Sequence, residues 1–186
     1  MRTEERRVLA SEVLQRLEVP AWGQMQPLAV GQVAHVATEV LHPGLARLLA
    51  VRQVLGLRTP GHSLVKLLAP CAGPGVLGGS DTRPEYSGLM RDVLIARQMT
   101  GLLSRGLEGE VVCDPRRQPR YDAVWQGQAY CVAEQQAGTV ATVPGLPQAI
   151  DAQTTADYTR AVLAGQLPVP QAVAAQVAHI TALAQH

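Results

Sequence analysis

Not one phenylalanine occurs in the 186 residues, and all aromatic side chains together make up 3%. The interior therefore has to be packed by Leu, Val, Ile and Ala, and stacking platforms for single-stranded nucleic acid are scarce. Apolar residues reach 47% against 17% charged, with a net charge of +1, so the low-hydropathy, high-charge composition of a disordered chain is missing. The length suits one ordinary domain or two small ones.

Periodicity divides the chain into a helical half and a mixed half. Thr3 is positioned to cap a first helix whose Val8, Leu9, Val13, Leu14 and Leu17 recur at helical spacing until Pro20. Helices are expected near Val30–Leu41, Leu45–Leu55 and Ser63–Ala69, with Pro43-Gly44 and Thr59-Pro60-Gly61 between them. Residues 1–70 thus read as a helical, locally basic half. Residues 71–83, rich in Gly, Pro and Ser, read as a hinge. In 84–186 the longest helical pattern covers about Pro84 to Arg105. Short β-rich runs follow at Glu110–Cys113, Tyr121–Trp125 and Ala129–Glu134, and another strand is expected within 137–147. Helices near Asp157–Ala164 and Gln171–Ala184 close the chain. The expected class is α+β, a helical and winged-helix-like N-terminal half followed by a small, mainly antiparallel sheet flanked by helices.

Three cysteines, Cys71, Cys113 and Cys131, with no CxxC spacing argue against a disulfide framework or structural zinc, and a reducing cytoplasm is the simplest compartment. The charged start lacks a signal-peptide core, and the uncharged tail after Ala161 is broken by Pro168 and Pro170, so no membrane span is expected. Gly73-Pro74-Gly75-Val76-Leu77-Gly78 satisfies GxGxxG formally. It follows a helical pattern instead of a strand, which argues against dinucleotide binding. The five histidines form no HxxxH or HExxH.

Local charge is more telling than the total. Between Val40 and Ser80 the only charged side chains are Arg47, Arg52, Arg58 and Lys66. Arg116, Arg117 and Arg120 form a second group in a Pro-containing turn. Both groups are candidate phosphate contacts, favouring double-stranded DNA as a partner.

The stretch from Glu110 through Asp122 to Glu134-Gln-Gln136 resembles the PD-(D/E)xK nuclease-like core, with an acid opening one strand, a hairpin, and an acid two residues before a polar residue on the next. That resemblance implies that Asp122 and Glu134 ligate Mg²⁺ or Mn²⁺ at a phosphodiester. Gln136 would stand where a Lys usually orients water, and Glu110 would serve as an outer acid. Tyr121 replaces the motif's Pro, and Gln136 carries no charge, so activity is altered or the fold serves binding only. With Arg91-Asp92 on the preceding helix, the order is similar to that of plasmid replication-relaxation proteins, which join a winged helix-turn-helix to a nuclease-like sheet.

Hairpin register tests the metal site. A two-residue turn at Gln126-Gly127 pairs Asp122 with Cys131 and turns Glu134 to the opposite face unless a bulge intervenes. A three-residue loop, Gln126 to Gln128, puts both acids on one face. Two readings from other classes use the same residues differently. In a winged-helix regulator of the MarR type, Leu94–Gly106 is the recognition helix and the 116–120 arginines tip a wing. A protein-interaction domain needs no nucleic acid. The C-terminal stripe Val173, Val177, Ile180 and Ala184 packs on its own domain or pairs two copies into a homodimer.

Overall fold

The computed structural model describes residues 8–71, 73–106 and 111–185. The architecture is α+β, and the chain forms two compact units, Met1–Pro70 with Gly145–Pro168, and Cys71–Pro144 with Val169–His186.

The first unit is mainly helical. Helix α1 (Ala10–Arg16) packs on α6 (Ala152–Leu163), where the Arg160 guanidinium donates to the Arg16 carbonyl. The expected cap at Thr3 lies outside the described residues. Where a helix was expected over Val30–Leu41, the chain instead pairs β1 (Ala21–Trp22) in parallel with β2 (His35–Val36) before a single helical turn, α2 (Thr38–Leu41). Helix α3 (Pro43–Leu55) starts with Pro43 in its first turn and His42 Nδ1 accepting from the Leu45 N–H at 3.1 Å. It stops at Gly56, whose φ of 69° suits a left-handed C-cap. Helix α4 (Gly61–Leu64) continues as a 3₁₀ turn, Val65–Leu67. Helix α6 begins earlier than its apolar spacing suggests. Asp151 caps it, accepting from the Thr154 N–H and hydroxyl, each at 2.7 Å.

The second unit is a four-stranded sheet in the order β3 (Val76–Asp81), β4 (Thr100–Arg105), β5 (Tyr121–Trp125), β6 (Gln128–Ala133). The β3–β4 pair is parallel and the other two pairs are antiparallel. Helix α5 (Pro84–Ala96) makes the crossover between β3 and β4 and covers one face. Helix α7 (Gln171–Ala184) covers the other. Two expectations change here. The presumed hinge 71–83 contains β3, and the presumed helix Pro84–Arg105 ends at Ala96. At its end Met99 N–H donates to Leu94 O, with Gln98 in the left-handed region at φ 52°, and the chain turns into β4. Gly101-Leu102-Leu103-Ser104 is buried on both faces, and such a run has the same apolar content as a buried helix segment. Residues 111–113 and 137–147 form no strand.

Alternation along β4 and β5 sorts the core. Leu102, Tyr121 and Ala123 join Cys113, Ala172 and Leu183 beneath α7. Met90 and Leu94 of α5 pack over Gly79 and Gly101 on the opposite face. Of the C-terminal apolar stripe, Val173 and Ile180 pack against this core, while Val177 and Ala184 stay exposed. Buried Gln176 does what a strand would do. Its amide donates to Val111 O at 2.9 Å and its carbonyl accepts from Cys113 N–H at 3.0 Å, so α7 holds the 111–113 segment. The Tyr121 and His179 rings meet nearby at a tilt of 51°, with their centroids 5.4 Å apart.

A Cβ on Gly101 would lie 2.7 Å from Leu94 Cδ1 and 3.0 Å from the Leu77 carbonyl. Gly101→Ala is expected to cost about 1–3 kcal/mol, read as a lower denaturation midpoint at unchanged slope. Gln176→Leu leaves two backbone groups without their partner and is expected to cost on the order of 1–3 kcal/mol in the same measurement.

Candidate functional site

The hairpin β5–β6 decides where the candidate acids point. Its turn is the two-residue form: Trp125 pairs with Gln128, and Gln126 and Gly127 take φ of 47° and 73°, a type I′ arrangement that matches strand twist. Asp122 accordingly pairs with Cys131. The register then slips, because Tyr121 pairs with Ala133 and leaves Val132 as an extra residue. Val132 and Ala133 both turn to the core beneath α7. Cys131 and Glu134 therefore share the opposite face with Asp122.

The two acids converge, and the cation between them is a side chain. The Arg120 guanidinium donates to Asp122 Oδ1 from Nη2 at 2.9 Å and from Nε at 3.0 Å, and to Glu134 Oε1 from Nη1 at 3.2 Å. Hydrogen bonding to Asp122 first, then the charges of Asp122, Cys131 and Glu134, pushes the guanidinium further toward its protonated form. The triad is well exposed to solvent, with the Asp122 side chain the most covered member. Gln136 is not aimed at it. Its carbonyl accepts from Gln118 N–H at 3.3 Å and its backbone N–H donates to Gln118 O at 3.0 Å. Glu110 lies outside the described residues. Among the described residues no group of three or more His, Cys, Asp or Glu side chains is placed to hold a metal. Among the described residues the candidate donors are thus two carboxylates that share the Arg120 guanidinium.

The other sequence candidates separate by their partners. Asp114 clamps Arg116 through Oδ1···Nε at 3.0 Å and Oδ2···Nη2 at 2.9 Å, and also accepts the Arg116 backbone N–H at 2.9 Å. Arg117 is half-buried, with its Nε enclosed and without a hydrogen-bond partner. The 116–120 arginines are therefore largely absorbed by their own segment. The opposite holds in the helical unit. Arg47 and Arg58 are exposed, Arg52 is half-buried with an unpartnered Nη1, and none of the three forms an ion pair among the described residues. Lys66 is half-buried on the 3₁₀ turn.

The MarR-type reading loses its recognition helix, because Leu94–Gly106 is not one helix: α5 ends at Ala96, and Thr100–Arg105 is the strand β4. Cys113 and Cys131 do not face each other. Burial beneath α7 pushes the Cys113 thiol up, while Cys131 is exposed on the acid face. One polar cluster had no sequence signal beyond isolated letters. Asp81, buried at the end of β3, accepts from the Ser87 hydroxyl of α5, and its carbonyl accepts from Gly106 N–H at 2.9 Å.

No helix among the described residues is long and apolar enough to cross a membrane. No protein-family model matches the chain. Over 137 residues, 73% of this chain, it is 34% identical to the uncharacterized protein YbiB of Escherichia coli (strain K12). The aligned part is 42% of that relative's own length.

Arg116 holds the Asp114 carboxyl below its ordinary value, with the charges of Arg116 and Arg117 adding to the hydrogen bonds. A depressed native value contributes stability above the unfolded value and loses it as pH falls through the native one. Arg116→Ala is expected to flatten part of the loss in denaturation midpoint between about pH 5 and about pH 2.

Proposed function

We propose that this chain associates with double-stranded DNA through the helical unit, with Arg47, Arg52 and Arg58, together with Lys66, contacting phosphates. The observation that carries this reading is the contrast between two sets of arginines. Arg116 and Arg120 are held by carboxylates two residues away, whereas Arg47, Arg52 and Arg58 make no ion pair among the described residues, in a run with no acid from Val40 to Ser80. A guanidinium already clamped by a carboxylate must break that contact before meeting phosphate, while an uncommitted one gains a bidentate partner and releases counterions.

In this reading Asp122 and Glu134 are structural anchors. Together with Arg120 they tie the chain entering β5 to the chain leaving β6. The nuclease-like order of acids is then kept for its fold and for binding, in line with the neutral Gln136.

The test is anisotropy of a labelled duplex titrated across a salt series. Log affinity is expected to fall linearly with log salt, and Arg47→Ala and Arg58→Ala should each reduce that slope by about one unit. Arg116→Ala should change it little. A flat salt response, or a slope carried by Arg116 instead of Arg47 and Arg58, overturns the proposal. With Mg²⁺ or Mn²⁺ added, the duplex is expected to remain intact. Cleavage that Asp122→Asn abolishes would return the hairpin acids to catalysis.

A further inference from the structure

Helix α3 is apolar on nearly every side. Of its thirteen residues only Arg47, Arg52 and Gln53 are polar, and Leu45 and Leu49 alone are buried. On the outward side Leu48, Val51, Val54 and Leu55 are exposed, Val54 by 85%. The adjoining turn and α4 extend the patch through Leu57, exposed by 71%, and Leu64. Arg47, Val51 and Val54 stand at i, i+4 and i+7, the spacing with which one helix engages another. A helix without a polar face is normally covered all round, and a contiguous exposed apolar surface of this kind marks a contact with another macromolecule.

We propose that the outward face of α3, with Leu57 and Leu64, docks a second polypeptide, an amphipathic helix whose apolar stripe is flanked by acidic residues. Charge selects this occupant. The patch carries Arg47 within it and Arg58 at its end, and the run from Val40 to Ser80 contains no acid. A second copy of this chain would set those arginines against their own kind with nothing to offset them. An acid-flanked helix meets them with the opposite sign while its leucines cover Val51, Val54 and Leu57. Duplex DNA offers phosphates for the arginines but little apolar surface for the valines and leucines. At 1.5 Å per residue α3 spans roughly 20 Å, enough to seat about four turns of a partner. The proposal does not rest on DNA association, since it needs the apolar side chains and that reading does not.

The probes are three synthetic helices of about 18 residues. The first has leucines at i, i+3, i+4 and i+7 with flanking glutamates, the second keeps the leucines and replaces glutamate by lysine, and the third keeps the glutamates and replaces leucine by serine. Calorimetry on the full chain is expected to show the first binding at least about tenfold more tightly than either control. The double variant Val54→Gln with Leu57→Gln, both highly exposed in the folded chain, should lose about tenfold for the first helix while its duplex affinity stays unchanged. No binding of the first helix, or equal binding of either control, overturns the proposal. So does a fall in duplex affinity in the double variant, which would give the face to nucleic acid. Sedimentation that shows self-association abolished by the double variant would give it to a second copy and overturn the proposal equally.

Discussion

One extra residue in β6 sets the chemistry of the hairpin. With the tight turn at Gln126-Gly127 alone, strict alternation would send Glu134 to the face opposite Asp122. Val132, inserted between the partners of Asp122 and Tyr121, adds half a pleat and brings Glu134 back. Val132 and Ala133 thereby both reach the apolar core under α7, which stabilises a bulge that would otherwise leave backbone groups poorly paired. The two acids meet as a by-product of good packing on the other face. What they meet around is Arg120, two residues upstream of Asp122 and on the same side of an extended chain.

Much of the second unit was legible. Tyr121–Trp125 and the following run alternate and are separated by a two-residue turn signal, and the helix Gln171–Ala184 shows its spacing plainly. The sheet's parallel half was not. β3 carries two glycines, Val-Leu-Gly-Gly-Ser-Asp, and Met90 and Leu103 pack directly over Gly79, where a side chain would have to push their ends aside. Glycine required by close packing has the same letters as glycine in a hinge. β4 is apolar on both faces and therefore has no alternation to read. The short parallel pair of β1 and β2 has too few residues for any period to develop.

The candidate site shows a related limit. Counting Arg116, Arg117 and Arg120 as a basic cluster treats charges as available because they are near one another. Asp114 and Asp122 each stand two residues from an arginine; the Asp114-Pro-Arg116 turn folds the first pair together and the extended chain entering β5 places the second on one side, so the neutralisation was present in the spacing. Glu134 was harder to place, since only the bulge brings it there. Gln176 offered a clear hint, being a lone amide inside an apolar stripe. A buried amide must have partners, though the sequence does not say which.

Neither unit is a continuous stretch of chain. The first consists of Met1–Pro70 and Gly145–Pro168, and the second of Cys71–Pro144 and Val169–His186, so each is completed only after the chain has passed through the other. During synthesis α1 must wait for α6 to emerge, and the sheet must wait longer still for α7 to cover its face. No single cut leaves both units whole: severing near residue 70 strips the helical part of α6, and severing near residue 145 removes a helix from both. Work on isolated halves would have to join the paired segments by a new linker or circularly permute the chain.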